Sequence, residues 1–179
     1  MDHFESLICT LLESDGYWVR RSFKVGMSSD EKRATGKHTI PRPEIDLLAF
    51  KFNENKVIAL EVKSFLDSTG VKLDDLKKEH GKAEGRYKLF TCKVLRDVVL
   101  NSLRNDLIKQ GMANSETQVV LGLVAGKVYQ KRSAEIRQVM DSNGWFFWSP
   151  EEVKEKVSKL ADLPYENDPA IIAAKVLLR

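Results

Sequence analysis

Two consecutive apolar segments that contain charged residues constrain the fold more than any other feature of the sequence. The segments are Glu44–Phe52 and Lys56–Lys63, and Asn53-Glu54-Asn55 joins them. Their length and the asparagine-rich joint predict a β-hairpin. Each segment is apolar at nearly every position, not at alternate positions. That pattern is typical of a sheet covered on both faces, and it excludes a half-solvated meander.

The register of this hairpin decides where its charged side chains meet. Side chains alternate with a period of two, so Asp46 shares a face with Leu48, while Glu61 and Lys63 share a face with Ala59. A short loop places Asp46 directly across from Glu61, and a slip of one residue would separate them onto opposite faces. The sequence therefore predicts a cluster of Asp46, Glu61 and Lys63 on an otherwise apolar surface.

Two carboxylates and an ammonium that are buried together carry an energetic cost unless something compensates it. A divalent cation is one compensator. Mg²⁺ prefers one or two carboxylates, keeps several waters and accepts phosphate oxygens. The alternative is a structural ion pair between Lys63 and one carboxylate at a strand end. The hairpin alone leaves both interpretations open.

The first predicted helix offers a third carboxylate. Residues 3–14 are apolar at positions 4, 7, 8, 11 and 12, which is helical spacing. Glu5 lies at the edge of this apolar stripe, from which it can lean over the sheet, whereas Glu13 lies on the far side and faces water. Glu5 is therefore the carboxylate that we expect near the cluster.

The remaining chain predicts alternating helices and strands. After a strand from Tyr17 to Val25, we expect a basic loop over Gly26–Pro43 and a charged, turn-rich stretch over 65–90. The later predictions are a helix at Thr91–Gln110, a strand at Gln118–Ala125, a helix at Ser133–Ser142, a strand at Trp145–Trp148, and helices that begin at Ser149-Pro150 and Asp168-Pro169. This order predicts an α/β fold with a central mixed sheet flanked by helices.

Composition narrows the class of protein. The 179 residues fit one domain, and no apolar run approaches the roughly 20 residues of a membrane span, so no membrane partner is expected. Cys9 and Cys92 lie far apart in apolar helical stretches and are expected to be small buried hydrophobes, which favours a cytoplasmic location. The net charge of +3 permits a nucleic-acid partner without demanding one.

Three short motifs carry a resemblance to a known family. Phe4-Glu5, Pro43-Glu44-Ile45-Asp46 and Glu61-Val62-Lys63 resemble the PD-(D/E)XK nuclease superfamily over about residues 3–63. The helix followed by Gly16-Tyr17-Trp18-Val19 is similar to the start of Mrr-type nucleases, and the set also resembles Holliday-junction resolvases. One departure is that Glu44 and Ile45 separate Pro43 from Asp46. This leaves Glu44 as a competing carboxylate near Lys63.

The resemblance implies a fold and a reaction. The fold is the restriction-endonuclease-like αβββαβ core over residues 1–149, with a C-terminal helical extension over 150–179 packed on it. Asp46 and Glu61 would bind Mg²⁺, or Mn²⁺, together with the backbone carbonyl of Val62. Glu5 would bind the metal through water or hold a second one, and Lys63 would orient the attacking water or lower its pKa. The implied activity is metal-dependent endonucleolytic hydrolysis of DNA.

Substrate binding needs cations around the cluster. The candidates are Arg20, Arg21, Lys24, Lys37, Arg86 and Lys88. Acidic residues are interspersed with the cations after the motif, so a solvated charged loop is an equal alternative there. A homodimer that uses the helices of 150–179, or membership of a larger complex, is expected because no separate recognition domain is evident. Two alternatives stay open: a catalytically silent nuclease-fold module that binds DNA or a protein, and a structural domain in which Glu5 points away from Asp46 and Glu61.

Overall fold

A five-stranded mixed sheet forms the centre of the chain in the computed structural model, which describes residues 2–36 and 41–178. The strands are β1 (Trp18–Lys24), β2 (Glu44–Lys51), β3 (Lys56–Lys63), β4 (Gln118–Ala125) and β5 (Phe146–Trp148). They lie side by side in chain order. The pairs β1–β2 and β2–β3 are antiparallel, and β3–β4 and β4–β5 are parallel. The predicted α/β class with a mixed sheet is confirmed.

Helices cover both faces of this sheet. They are α1 (His3–Ser14), α2 (Ser29–Ala34), α3 (Leu73–Lys77), α4 (Lys88–Thr91), α5 (Lys93–Lys109), α6 (Ser133–Ser142), α7 (Pro150–Leu160) and α8 (Pro169–Leu178). The predicted starts of the last two helices are confirmed, because Ser149 accepts a hydrogen bond from the Glu152 amide and Asp168 accepts one from the Ala170 amide.

Three short helices correct the sequence-based expectation of loops. The prediction of a loop throughout Gly26–Pro43 is wrong for residues 29–34, and the turn-rich stretch of 65–90 contains α3 and the first turn of α4. In α2, Ser28 and Glu31 form a capping box, and Glu31 Oε1 accepts a 2.8 Å hydrogen bond from Ser102 on α5. This tertiary contact stabilises a helix that is too short to persist alone.

Two apolar clusters lie on opposite faces of the hairpin formed by β2 and β3. On one face, Leu47, Leu60 and Ile8 of α1 belong to the same cluster as Val153 of α7 and Ile171 of α8. On the other face, the strands pack against α5. The side chains of that second cluster include Leu48, Phe50, Val57, Ala59, Leu95, Val99, Leu103 and Leu107. The predicted coverage of the hairpin on both faces is therefore confirmed.

Candidate functional site

The first residues of β2 and the last residues of β3 meet at one edge of the sheet, because the two strands are antiparallel. Their ladder runs as far as the pair Leu47–Leu60, which confirms the predicted register up to that pair, and Asp46 and Glu61 are the next residues along the two strands. Since β4 is parallel to β3, the loops that follow both strands emerge at this same edge. Such edges are where open α/β sheets commonly bind ligands.

The structure brings three of the predicted side chains together. Lys63 Nζ lies 3.0 Å from Glu61 Oε1 and 3.6 Å from Asp46 Oδ2. Each of the three side chains is only about one-fifth exposed, at 21% for Lys63, 23% for Asp46 and 20% for Glu61. Two carboxylates therefore share one ammonium at a largely buried strand end.

Asp46 also has a structural contact with the neighbouring strand. Its Oδ2 accepts a 2.7 Å hydrogen bond from the backbone amide of Val62. The regular alternation of β2 breaks at this residue, because Ile45 packs in the same cluster as Leu48 and not with Leu47. On β1, Ser22 occupies the facing position with a φ of +50°, and the β1–β2 ladder omits this one pair. The hydrogen bond to Val62 holds the Asp46 carboxylate toward β3.

Burial and the neighbouring charges shift the pKa values of Glu61 and Lys63. Burial raises the pKa of the Glu61 carboxyl, and Asp46 raises it further, while Lys63 lowers it only in part. Burial alone would lower the pKa of Lys63, but Glu61 and Asp46 together raise it above its ordinary value. Two carboxylates thus lie within ion-pair distance of one lysine ammonium, and burial is the main cause of the raised pKa of Glu61.

Glu5 approaches this cluster from α1. The Asp2 side chain caps the helix by accepting a 2.7 Å hydrogen bond from the Glu5 amide. Partial burial raises the pKa of Glu5, and the charge of Asp46 raises it further. Within residues 2–36 and 41–178, however, no three His, Cys, Asp or Glu side chains are close enough to hold one metal ion. Glu5 thus lies within electrostatic range of Asp46 but outside the carboxylate pair.

Gly126, the residue after β4, allows α1 to come this close. A Cβ atom at Gly126 would lie 2.4 Å from the Ser64 carbonyl oxygen and 2.9 Å from Phe4 Cζ. Contacts below 3.0 Å require something to shift, and here one of the neighbours is backbone. A glycine is therefore needed where the end of β4, the end of β3 and the first turn of α1 converge.

A cavity of about 460 Å³ lies beside Asp46 and Glu61. Its walls are mostly apolar, and charged side chains line the rest. The lining residues are Pro41, Arg42, Pro43, Glu44, Ile45, Asp46, Ala59, Leu60, Glu61, Ala83, Arg86, Lys88, Leu89 and Leu95. Glu44, the competing carboxylate of the sequence analysis, is exposed and lines this cavity. Among the described residues, Lys63 forms its ion pairs with Glu61 and Asp46 and not with Glu44.

The structure separates the predicted nucleic-acid-binding cations into two groups. Arg86 and Lys88 line the cavity with the carboxylate pair. Arg20, Arg21 and Lys24 lie on β1, which is an edge strand of the sheet. In the β1–β2 ladder, Lys24 lies opposite Glu44, at the end of β2 that is near the site. Arg20 lies nearer the middle of the strand and donates a 2.7 Å hydrogen bond to Gln110. Lys37 lies outside the described residues.

Sequence reasoning missed a pair of joined loops at this edge. Val71, in the loop after β3, forms a parallel bridge with Val128, in the loop after β4. The Val71 amide donates to the Lys127 carbonyl and the Tyr129 amide donates to the Val71 carbonyl, both at 2.9 Å. The bridge joins residues that are 57 positions apart in the chain (128 − 71), so no local pattern signals it.

These loops carry aromatic rings covered by cations. The Arg86 guanidinium lies 5.2 Å from the centre of the Phe65 ring, and Lys72 Nζ lies 5.5 Å from the centre of the Tyr129 ring. Tyr87, next to Arg86, is buried; burial, followed by the charge of Glu61, raises the pKa of its hydroxyl. No local sequence pattern predicts the position of these aromatic residues, which depends on how the loops pack in the fold.

Comparisons with family models, with curated proteins and with solved structures find no match for this chain. Among the described residues, no helix combines the length and apolar character that crossing a bilayer requires.

Proposed function

We propose that this protein is a metal-dependent nuclease with the restriction-endonuclease-like fold, and that it hydrolyses phosphodiester bonds of DNA. The observation that carries the proposal is the grouping of Asp46, Glu61 and Lys63 at one sheet edge, beside a cavity lined by Arg86 and Lys88. The order α1, β1, β2, β3, α5 and β4 is compatible with the αβββαβ core of that fold.

The donor set fits a hard divalent cation. Asp46 and Glu61 supply carboxylate oxygens, and these two carboxylates face one lysine ammonium. Mg²⁺ uses one or two protein carboxylates and retains water, so a third protein carboxylate is not required. Asp46, Glu61 and the Val62 carbonyl would hold Mg²⁺ or Mn²⁺, with Glu5 contributing through water or at a second metal. The ion would neutralise charge on the phosphate and make a bound water more acidic.

The protein's own side chains divide the remaining tasks. Lys63, held between the two carboxylates, donates hydrogen bonds that orient the attacking water toward the phosphorus atom. The Val62 amide fixes the orientation of Asp46. Arg86 and Lys88, at the cavity wall, contact phosphate oxygens of the substrate. A cytoplasmic enzyme that acts as a homodimer, or within a larger complex, is the setting that we propose.

One observation favours a second function. Lys63 already lies within ion-pair distance of both carboxylates, so the pair is partly satisfied without a metal. A catalytically silent nuclease-fold module would keep this ion pair for stability and would bind DNA, or a protein, through the surrounding cations. The two functions differ in whether Glu61 and Lys63 are needed for the chemistry or only for the fold.

The direct test is cleavage of supercoiled plasmid and linear DNA in Mg²⁺, in Mn²⁺ and in EDTA. Glu61→Gln and Lys63→Met are compared with the wild type, and each has a matched control: Glu54→Gln at the far end of the hairpin and Lys154→Met on α7, both exposed. We expect metal-dependent cleavage that each site variant reduces by about 10²-fold or more. We expect both controls to cleave like the wild type.

Two other outcomes would overturn the proposal. Cleavage that survives both site substitutions would assign the activity to another centre. Binding of labelled DNA without cleavage in either metal would support the silent module.

A further inference from the structure

The cavity beside the carboxylate pair has the size of a small-ligand pocket. Its volume of about 460 Å³ lies within the range of about 300–1,000 Å³ over which protein pockets enclose small organic molecules. Asp46 and Glu61 form part of its wall. A phosphate that reaches these carboxylates therefore has a pocket next to it, and the chemistry of the pocket indicates what lies beside that phosphate.

The walls of the pocket do not match a phosphate backbone. Pro43, Ile45, Ala59, Ala83 and Leu95 present apolar atoms. A base-paired duplex offers its sugar–phosphate backbone and base edges to a protein, while the faces of its bases are stacked inside. Apolar walls gain most from the flat face of a base, which becomes available only when the nucleotide is unpaired.

The cations of the pocket match the remainder of such a nucleotide. The lining has three cations, Arg42, Arg86 and Lys88, beside the carboxylates of Glu44, Asp46 and Glu61, and the cations suit the phosphates on either side of a base. The Arg86 guanidinium also lies 5.2 Å from the centre of the Phe65 ring, outside the apolar walls. Arginine packed on an aromatic ring forms a flat, charged surface that suits a single-stranded nucleic acid.

The joined loops extend this surface away from the pocket. Tyr129 is 39% exposed and lies beneath Lys72, and the bridge between Val71 and Val128 connects its loop to the one that carries Phe65. Exposed aromatic rings interleaved with cations are typical of surfaces that bind single strands. Lys72 and Tyr129 therefore form a second aromatic and cationic pair on the joined loops.

We infer that this cavity accepts one unpaired nucleotide beside the scissile phosphate, so the substrate is a single strand or a frayed end and not an intact duplex. The inference rests on the proposed function for the position of the scissile phosphate, which the proposed metal would hold at Asp46 and Glu61. The binding preference itself does not require that the protein cuts its ligand.

Binding without metal tests the inference separately from the nuclease. The probe is a fluorescein-labelled 20-nucleotide DNA, measured by fluorescence anisotropy in EDTA as a single strand and as a blunt duplex. Ala83→Leu fills the cavity, and Ala134→Leu, at an exposed position of α6, is its matched control. We expect the wild type to bind the single strand at least 10-fold more tightly than the duplex. Ala83→Leu should remove this preference, and Ala134→Leu should retain it.

A second pair of variants avoids changes to the protein interior. Arg86 and Lys82 are both exposed in the same loop, but only Arg86 lines the cavity. We expect Arg86→Ala to weaken single-strand binding several-fold and Lys82→Ala to weaken it less than twofold. These variants decide the question if Ala83→Leu fails to fold by circular dichroism.

The outcomes separate the two proposals. Equal or tighter binding of the duplex would overturn the pocket assignment, as would single-strand binding that is insensitive to both Ala83→Leu and Arg86→Ala. A protein that cleaves duplex DNA through Glu61 and Lys63 yet shows this insensitivity would keep the nuclease and lose the pocket. A protein that binds single strands through Arg86 but never cleaves would keep the pocket and lose the nuclease.

Discussion

Lys63 has a different role from an ordinary surface lysine. Its ammonium contacts two carboxylates that are each about four-fifths buried, so it is the principal neutralising group at the end of β3. An unpaired carboxylate in such surroundings costs more than a lost surface ion pair, because water cannot fully solvate it. The same two carboxylates are the proposed metal ligands. In that proposal, lysine and metal would stabilise the same negative charge.

This shared role predicts a link between metal and stability. We expect Lys63→Met to lower the free energy of unfolding in EDTA by about 1–3 kcal/mol, because Asp46 and Glu61 lose their cation. Added Mg²⁺ should recover part of that loss by binding the carboxylates, and it should raise the melting temperature of the variant more than that of the wild type. Thermal unfolding with and without Mg²⁺ measures both effects.

Lys154→Met is the control for this experiment, because Lys154 is exposed on α7. It should match the wild type in both buffers. If Mg²⁺ shifts none of the three proteins, the carboxylates do not bind it, and the purely structural ion pair would account for Lys63.

Among the secondary-structure elements, the long or strongly patterned ones could be predicted from the sequence. The helix at residues 3–14, the β2–β3 hairpin and the strand at 118–125 have the predicted bounds to within one residue. Their signals are local: a helical stripe, an asparagine-rich joint and a continuous apolar run. The short helix α2 was missed because it depends on a partner in α5, which a local pattern does not reveal.

That dependence gives α2 a distinctive pH response. Hydrogen bonds from the Ser28 amide, and then from the Ser102 and Ser28 hydroxyls, hold the pKa of Glu31 below its usual value of 4.5. A carboxyl with a lowered pKa in the folded state stabilises the fold above its unfolded pKa, and this contribution disappears as the pH falls through the folded pKa. We expect Glu31→Gln to cost about 1 kcal/mol at pH 7 and clearly less below about pH 4.

Urea denaturation at about pH 7 and about pH 3.5 measures the difference in unfolding free energy between Glu31→Gln and the wild type. The first pH lies well above the ordinary glutamate pKa of 4.5, and the second lies about one unit below it. Glu116→Gln, at an exposed position in the turn before β4, should have little effect at either pH. A cost of Glu31→Gln that stays constant between the two pH values would mean that the charge of Glu31 does not stabilise α2.

Across the whole molecule, the first and last helices share one apolar cluster. Ile8 of α1, Val153 of α7 and Ile171 of α8 belong to it together with β2 and β3. Lys175 of α8 further donates a 3.0 Å hydrogen bond to the Ala161 carbonyl. The C-terminal helices therefore cover the face of the sheet on which α1 carries Glu5, and the position of α1 depends on them.

This packing predicts a large asymmetry between two positions of α8. Ile171 is 2% exposed, so we expect Ile171→Ala to lower the free energy of unfolding by about 2–4 kcal/mol through a cavity in the shared cluster. Val176 is 76% exposed, and Val176→Ala should change it by less than about 0.5 kcal/mol. Chemical denaturation compares the two variants, and equal effects would show that α8 does not belong to the cooperative core.

The site itself was only partly predictable. Alternation within the hairpin was enough to pair Asp46 with Glu61 and to place Lys63 beside them. The irregularity at Ser22 and Asp46, the cavity, and the bridge between Val71 and Val128 depend on contacts between distant parts of the chain. Long-range pairing is the information that periodicity and turn signals do not contain.

The hydrogen bond from the Val62 amide to Asp46 has a consequence for how this chain would change over generations. Replacement of Glu61 by glutamine removes a charge but leaves the backbone pairing of the sheet intact, whereas a replacement of Asp46 without a side-chain acceptor also leaves a strand amide without its partner. Folding alone therefore favours a hydrogen-bond acceptor at position 46, whether or not the proposed chemistry takes place, whereas at position 61 it does not require a charge.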